Sequence, residues 1–122
     1  MTANVTTEVN AFVLKIRKLA LERLAYIFSV PASMIESTWQ FGEELKASFR
    51  SEWRENELDI ILDDINYVAN SIDKKMIKNG ELTIKTVGDY LDFMTTCAVR
   101  DDKSKRKVLS VLTDLWKSGA KN

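Results

Sequence analysis

The chain has 122 residues, 45% of them hydrophobic and 30% charged, with four glycines and one proline; this is the composition of a globular, helix-rich chain, and it argues against disorder and against a core that needs disulfides or metals. Basic and acidic residues balance at 18 each, so no overall field draws the chain to nucleic acid or to an anionic membrane. The absence of histidine excludes Ser–His and Cys–His catalysis and ordinary zinc sites, and the single cysteine, Cys97, cannot close an internal disulfide.

Residues 1–8 carry no basic region followed by an apolar one, so no secretory signal is expected. The most apolar window, Ala11 to Val30, is interrupted by Lys15, Arg17, Lys18, Glu22 and Arg23, which rules out a membrane span and leaves a cytoplasmic protein as the expectation. Thr6 or Thr7 caps a first helix whose apolar stripe runs through Val9, Phe12, Val13, Ile16, Leu19, Ala20, Leu24 and Ile27. Pro31 ends it near Ser29. Residues 32–40 read as a loop anchored inward by Met34, Ile35 and Trp39, and Phe41, Leu45 and Phe49 have the spacing of a short helix.

Asn56 is a natural N-cap with Asp59 three residues on, and Leu58, Ile61, Leu62, Ile65, Val68, Ala69, Ile72 and Met76 predict one helix from about Glu57 to Lys78, stopped by Asn79-Gly80. After a link over Leu82–Lys85, Thr86 and Asp89 form a capping signal for a helix that buries Val87, Tyr90, Leu91, Met94 and Ala98. Asp101 or Asp102 caps a last helix in which Val108, Leu109, Val111, Leu112, Leu115 and Trp116 form a broad stripe that Gly119 ends. The fold class is therefore all-α, a bundle of four or five helices in a single domain over residues 1–122. Cys97 fits a buried small hydrophobe better than a reactive thiol.

Charge is unevenly distributed. Nine acids face three bases from Glu36 to Asp64, and seven bases face three acids from Val99 to Asn122. Asp59 and Asp63, four apart, share a helix face. With no partner carboxylates at defined spacing, that face reads as solvated or as a recognition surface before it reads as a catalytic or metal site. The basic run Lys103-Ser104-Lys105-Arg106-Lys107 sits at a helix start, against the dipole, and suits a solvated end, an acidic protein partner or the protein's own acidic middle better than nucleic acid or lipid. Trp39, Trp53 and Trp116 are scattered, as core or interface anchors rather than a stacking platform.

Three stretches together resemble the acyl carrier protein family across residues 12–94. The first, Phe28-Ser29-Val30-Pro31-Ala32-Ser33-Met34-Ile35 continuing to Phe41-Gly42-Glu43-Glu44-Leu45, is similar to the close of that family's first helix and the loop after it. The second, Asp63-Asp64-Ile65-Asn66-Tyr67-Val68, is similar to the Asp-Ser-Leu-Asp-x-Val at the start of its second helix. The third, Ile84 to Phe93, is similar to the entry of its last helix. The resemblance implies a carrier-like core over 6–94, with an insertion before the second main helix, and a helical extension over 100–119. It also implies an acidic surface on which basic partners dock.

Two departures alter the functional implication. Asp64 stands where the family carries the serine that bears 4′-phosphopantetheine, and a carboxylate cannot form that phosphodiester. Between Leu45 and Asp63 this chain has 17 residues where the family has three. A second register sets Ser48 at the attachment position. The expectation is a non-catalytic protein-binding module with no cofactor, docking a basic partner through Asp59, Asp63, Asp64, Ile65 and Tyr67. The alternatives are an acyl or peptidyl carrier modified at Ser48, and a self-associating structural protein in which the acidic middle of one copy meets the basic tail of another.

Overall fold

The computed structural model describes residues 2–45 and 57–113, with side chains from Val9 onward in the first helix. It contains α1 (Thr2–Phe28), a 3-10 turn at Ala32–Met34, α2 (Glu57–Val68), α3 (Ser71–Asn79), α4 (Val87–Arg100) and α5 (Asp102–Leu112). Among the described residues there is no strand, only isolated bridges. The expected all-α bundle is what forms. Ser48, Phe49, Trp53, Asn56, Leu115, Trp116 and Gly119 lie outside the described residues.

The bundle is built around α4, which packs against both α1 and α5. Its inward face, Val87, Tyr90, Leu91, Met94, Cys97 and Ala98, follows the helical repeat and is buried. The facing stripe of α1 is Ile16, Ala20, Leu24 and Ile27, and α2 adds Ile61, Ile65 and Val68. α1 begins at Thr2, ahead of the expected cap, so Val9 lies beyond the core and is half exposed. At the other end Val30 N–H donates to Ala25 O at 3.0 Å over a left-handed Ser29 (φ 56°), which closes the helix ahead of Pro31.

Two expectations for the middle of the chain are corrected. The helix predicted over Glu57–Lys78 is broken in two, because Asn70 caps a new start. Its side chain accepts from Asp73 N–H at 2.8 Å, and Asp73 Oδ2 accepts from Asn70 N–H at 3.0 Å. A reciprocal capping box satisfies two backbone donors at once and so competes with continuation of the helix. The break re-aims the second half: Ile72, expected on the buried stripe, is exposed, and Asp73 is buried instead. Gly80, left-handed at φ 82°, ends α3 at the expected Asn79-Gly80 stop.

Phe41–Leu45 forms a turn rather than the first part of a helix. Gly42 takes φ 89°, and Phe41 N–H donates to Lys85 O at 2.9 Å. Long-range backbone pairing fixes the segment there. Phe41 points inward, stacked on Phe28 and edge-on to Tyr90, each at 6.1 Å between centroids. Of the loop anchors, Ile35 is buried and Trp39 partly so, while Met34 is exposed.

The expected caps of α4 and α5 form as the sequence suggests. Thr86 Oγ1 accepts from Asp89 N–H at 3.1 Å while Asp89 Oδ2 accepts from Thr86 N–H at 3.1 Å, and Asp101 Oδ1 accepts from Ser104 N–H at 2.7 Å. The first donors of α4 are satisfied from far away: Val87 N–H donates to Trp39 O at 2.9 Å and Gly88 N–H to Ser37 O at 2.8 Å. No helix among the described residues is long and apolar enough to cross a membrane.

Candidate functional site

The amphipathic helix α2 divides the candidate residues into two sets. Its inward positions, three and four apart, are Ile61, Asp64, Ile65 and Val68. Asp64 and Ile65, expected on the docking surface, are both buried, and that expectation is corrected. The resemblance sets Asp64 at the start of a helix, yet it is the eighth residue of α2 and faces the core.

Asp64 meets a charge from the opposite helix. Arg23 sits in register with Ile16, Ala20 and Ile27 on α1, and its guanidinium grips the carboxylate from two nitrogens: Nε donates to Oδ2 at 3.0 Å and Nη2 to Oδ1 at 2.9 Å. Tyr90 Oη, from α4, donates to Oδ2 at 3.0 Å. Both charged side chains are only 4% exposed. Burial raises the Asp64 pKa above its ordinary value, and it does so against Arg23 and Tyr90, which pull it down. Burial, followed by the adjacent Asp64 charge, pushes the Tyr90 hydroxyl well above its ordinary range. The group joins α1, α2 and α4 and presents no carboxylate oxygen to solvent as a base.

A second charged group joins α3, α4 and α5. Arg100 Nη1 donates to Asp73 Oδ1 and Oδ2 at 3.1 and 2.9 Å, and Nη2 donates to Ser104 Oγ at 3.3 Å and to Cys97 Sγ at 3.6 Å. Arg100 Nε is buried and makes no hydrogen bond among the described residues, though Asp101 Oδ2 lies 3.8 Å from it. Cys97 is buried, and desolvation raises its thiol to about 11. Little thiolate exists there near neutral pH, which fits the expected role as a small hydrophobe.

The outward positions of α2 are Leu62, Asp63, Asn66 and Tyr67. Leu62 is 58% exposed and Tyr67 50%. Asp63 is exposed, whereas Asp59, one turn earlier, is partly buried and already makes an interaction within the molecule. Lys107 of α5 lies over the Tyr67 ring at 5.6 Å, and Lys105 lies over Phe12 of α1 at 4.8 Å. The basic run is thus partly engaged through cation–π contacts, which the sequence does not suggest. A polar cleft of about 390 Å³ separates the start of α5 from the α2–α3 junction, with Ser71, Lys103, Ser104 and Lys107 on its walls. No cluster of three metal-ligating side chains occurs among the described residues.

Of the expected surface, Asp63 and Tyr67 remain together in the open, with Asp59 beside them. Buried Arg23, and the separate group of buried Asp73 and Ser104 with part-buried Arg100, are not among the residues that the sequence singles out for the site. A signal exists for the first and for Asp64: each is a charge on the apolar register of its helix. Comparison of the chain with protein-family models, with curated proteins and with solved structures finds no match.

Proposed function

We propose that the protein is a non-catalytic helical binding module that docks a basic partner through the outward face of α2. The observation that carries this reading is the division of α2. Its inward acid is locked to Arg23 and Tyr90, while its outward face leaves Asp63 beside two large half-exposed side chains, Leu62 and Tyr67. Apolar area beside charge is the character of a recognition surface, and a surface acid adds steering toward bases. The carrier-like order of motifs adds to the reading without supplying a cofactor, because Asp64 is enclosed.

The direct test is to immobilise wild-type protein and an Asp63→Lys variant side by side and compare what each retains as salt is raised. Wild type is expected to hold a basic partner that salt releases, and the variant to lose it. Equal retention by both proteins would defeat the docking reading. The carrier alternative has its own measurement: after incubation with a phosphopantetheinyl transferase and coenzyme A, the intact mass is expected to be unchanged. An added cofactor mass mapped to Ser48 would replace this reading with a carrier.

A further inference from the structure

We propose that α3 is a latch helix, which opens and closes as one unit while the rest of the bundle stays folded, and that the ion pair between Asp73 and Arg100 is its catch; the device does not depend on the docking reading. Burial sets this helix apart from its neighbours. α2 buries Ile61, Ile65 and Val68 and α5 buries Val108 and Leu112, whereas Asp73 alone is buried among the described residues of α3. Met76 and Ile77 are partly buried, and the rest of the helix, Ile72 included, is exposed. With so little apolar surface against the bundle, α3 is held by what its one buried side chain binds.

That side chain takes two hydrogen bonds from Arg100 Nη1 of α4, at 3.1 and 2.9 Å. Both ends of α3 are built to turn. The capping box at Asn70 stops the ladder of α2 from running on into it, and Gly80 leaves it in the left-handed region at φ 82°. Nine residues are too few for a helix that persists alone in water, so α3 unwinds when the catch lets go. The thiol of Cys97 lies under the catch, with Asp73 Oδ2 at 4.0 Å and Arg100 Nη2 at 3.6 Å from its sulfur. Cys97 is 1% exposed in the closed form, and opening uncovers it together with Arg100.

As Cys97 is the single cysteine of the chain, its alkylation by iodoacetamide at constant pH, read as intact mass, follows that exposure. Wild type is expected to react far more slowly than the urea-unfolded chain, yet faster than global unfolding allows. Its rate is expected to stay nearly flat at low urea, because opening α3 exposes little surface. Asp73→Asn, which keeps an acceptor for the Asn70 N–H and loses the charge, is expected to speed alkylation about tenfold, and the exchange of the α3 amides with it. Ile27→Val, in the core stripe of α1, lowers global stability and is expected to leave the rate without urea unchanged. Circular dichroism checks that each variant is folded.

Alkylation of wild type that keeps pace with global unfolding across the urea series overturns the proposal, since the thiol is then uncovered only with the whole bundle. So does an Ile27→Val rate that rises by the same factor as its global unfolding constant. Wild type that reacts as fast as the unfolded chain overturns it too, because nothing then covers Cys97. The same holds for α3 amides that Asp73→Asn leaves as protected as in wild type.

Discussion

Replacing Asp64 with Ala is expected to destabilise the protein by about 3–5 kcal/mol, because it removes the buried carboxylate that two nitrogens of the Arg23 guanidinium grip. Urea unfolding measures this directly. The combined replacement Arg23→Met, Asp64→Leu and Tyr90→Phe is expected to behave differently. It removes both charges of the pair together with the hydroxyl that would be left without its acceptor, and it is expected to destabilise less than Asp64→Ala alone. An Asp64→Ala protein as stable as wild type would mean that the other interactions of Arg23 hold its charge without the carboxylate.

The same comparison has a pH signature. Burial raises the folded-state pKa of Asp64, so the folded protein holds this proton more tightly than the unfolded chain does. The contribution of Asp64 to stability is then greatest below the ordinary value of 3.8 and falls as pH rises through the folded value. Wild type should lose stability relative to the triple variant across that window, and a flat difference would contradict the direction of the shift.

Asp73→Ala is expected to cost about 2–3 kcal/mol, since one side chain serves both the capping box at Asn70 and the clasp to Arg100. The ion-pair share is discounted, because the Arg100 side chain is 26% exposed. Asp73→Asn, which keeps an acceptor for the Asn70 N–H and loses the charge, is expected to fall between Ala and wild type. Amide exchange at the start of α3 should quicken most in the Ala variant. Unchanged exchange there would show that the break between α2 and α3 does not depend on Asp73.

The legible parts of the fold are those decided locally. Thr86-x-x-Asp89 and Asp101 announce their helices, and each forms the cap that its spacing suggests. Asn70-x-x-Asp73 carries the same kind of signal, but it is hidden because Val68, Ala69, Ile72 and Met76 continue an apolar period across it. At that point a polar cap outcompetes the period, and Ile72 is left in the open. The turn at Phe41–Leu45 is beyond local reading, since its decisive hydrogen bond is made to Lys85.

The candidate site divides in the same way. Asp63 and Tyr67 fall where an outward helical face puts them. Asp64 reads as one more acid in an acidic stretch until Arg23, 41 residues away, is seen in register opposite it. A charge on an apolar register is informative only as one of a pair, and the pairing belongs to the tertiary structure. The resemblance marks Asp64 as a surface position; burial makes it part of the framework.

The start of α4 has a consequence for the order in which the molecule folds. Val87 and Gly88 donate to the carbonyls of Trp39 and Ser37, and Phe41 donates back to Lys85. The first turn of α4 and the loop that follows α1 therefore complete each other's hydrogen bonds across nearly fifty residues of chain. Closing so long an intervening segment is an entropic cost met before these bonds form, so the loop and the first turn of α4 are expected to form together and late. The amides of Val87 and Gly88, whose acceptors are loop carbonyls, are then expected to exchange as that loop opens and faster than the amides inside α4.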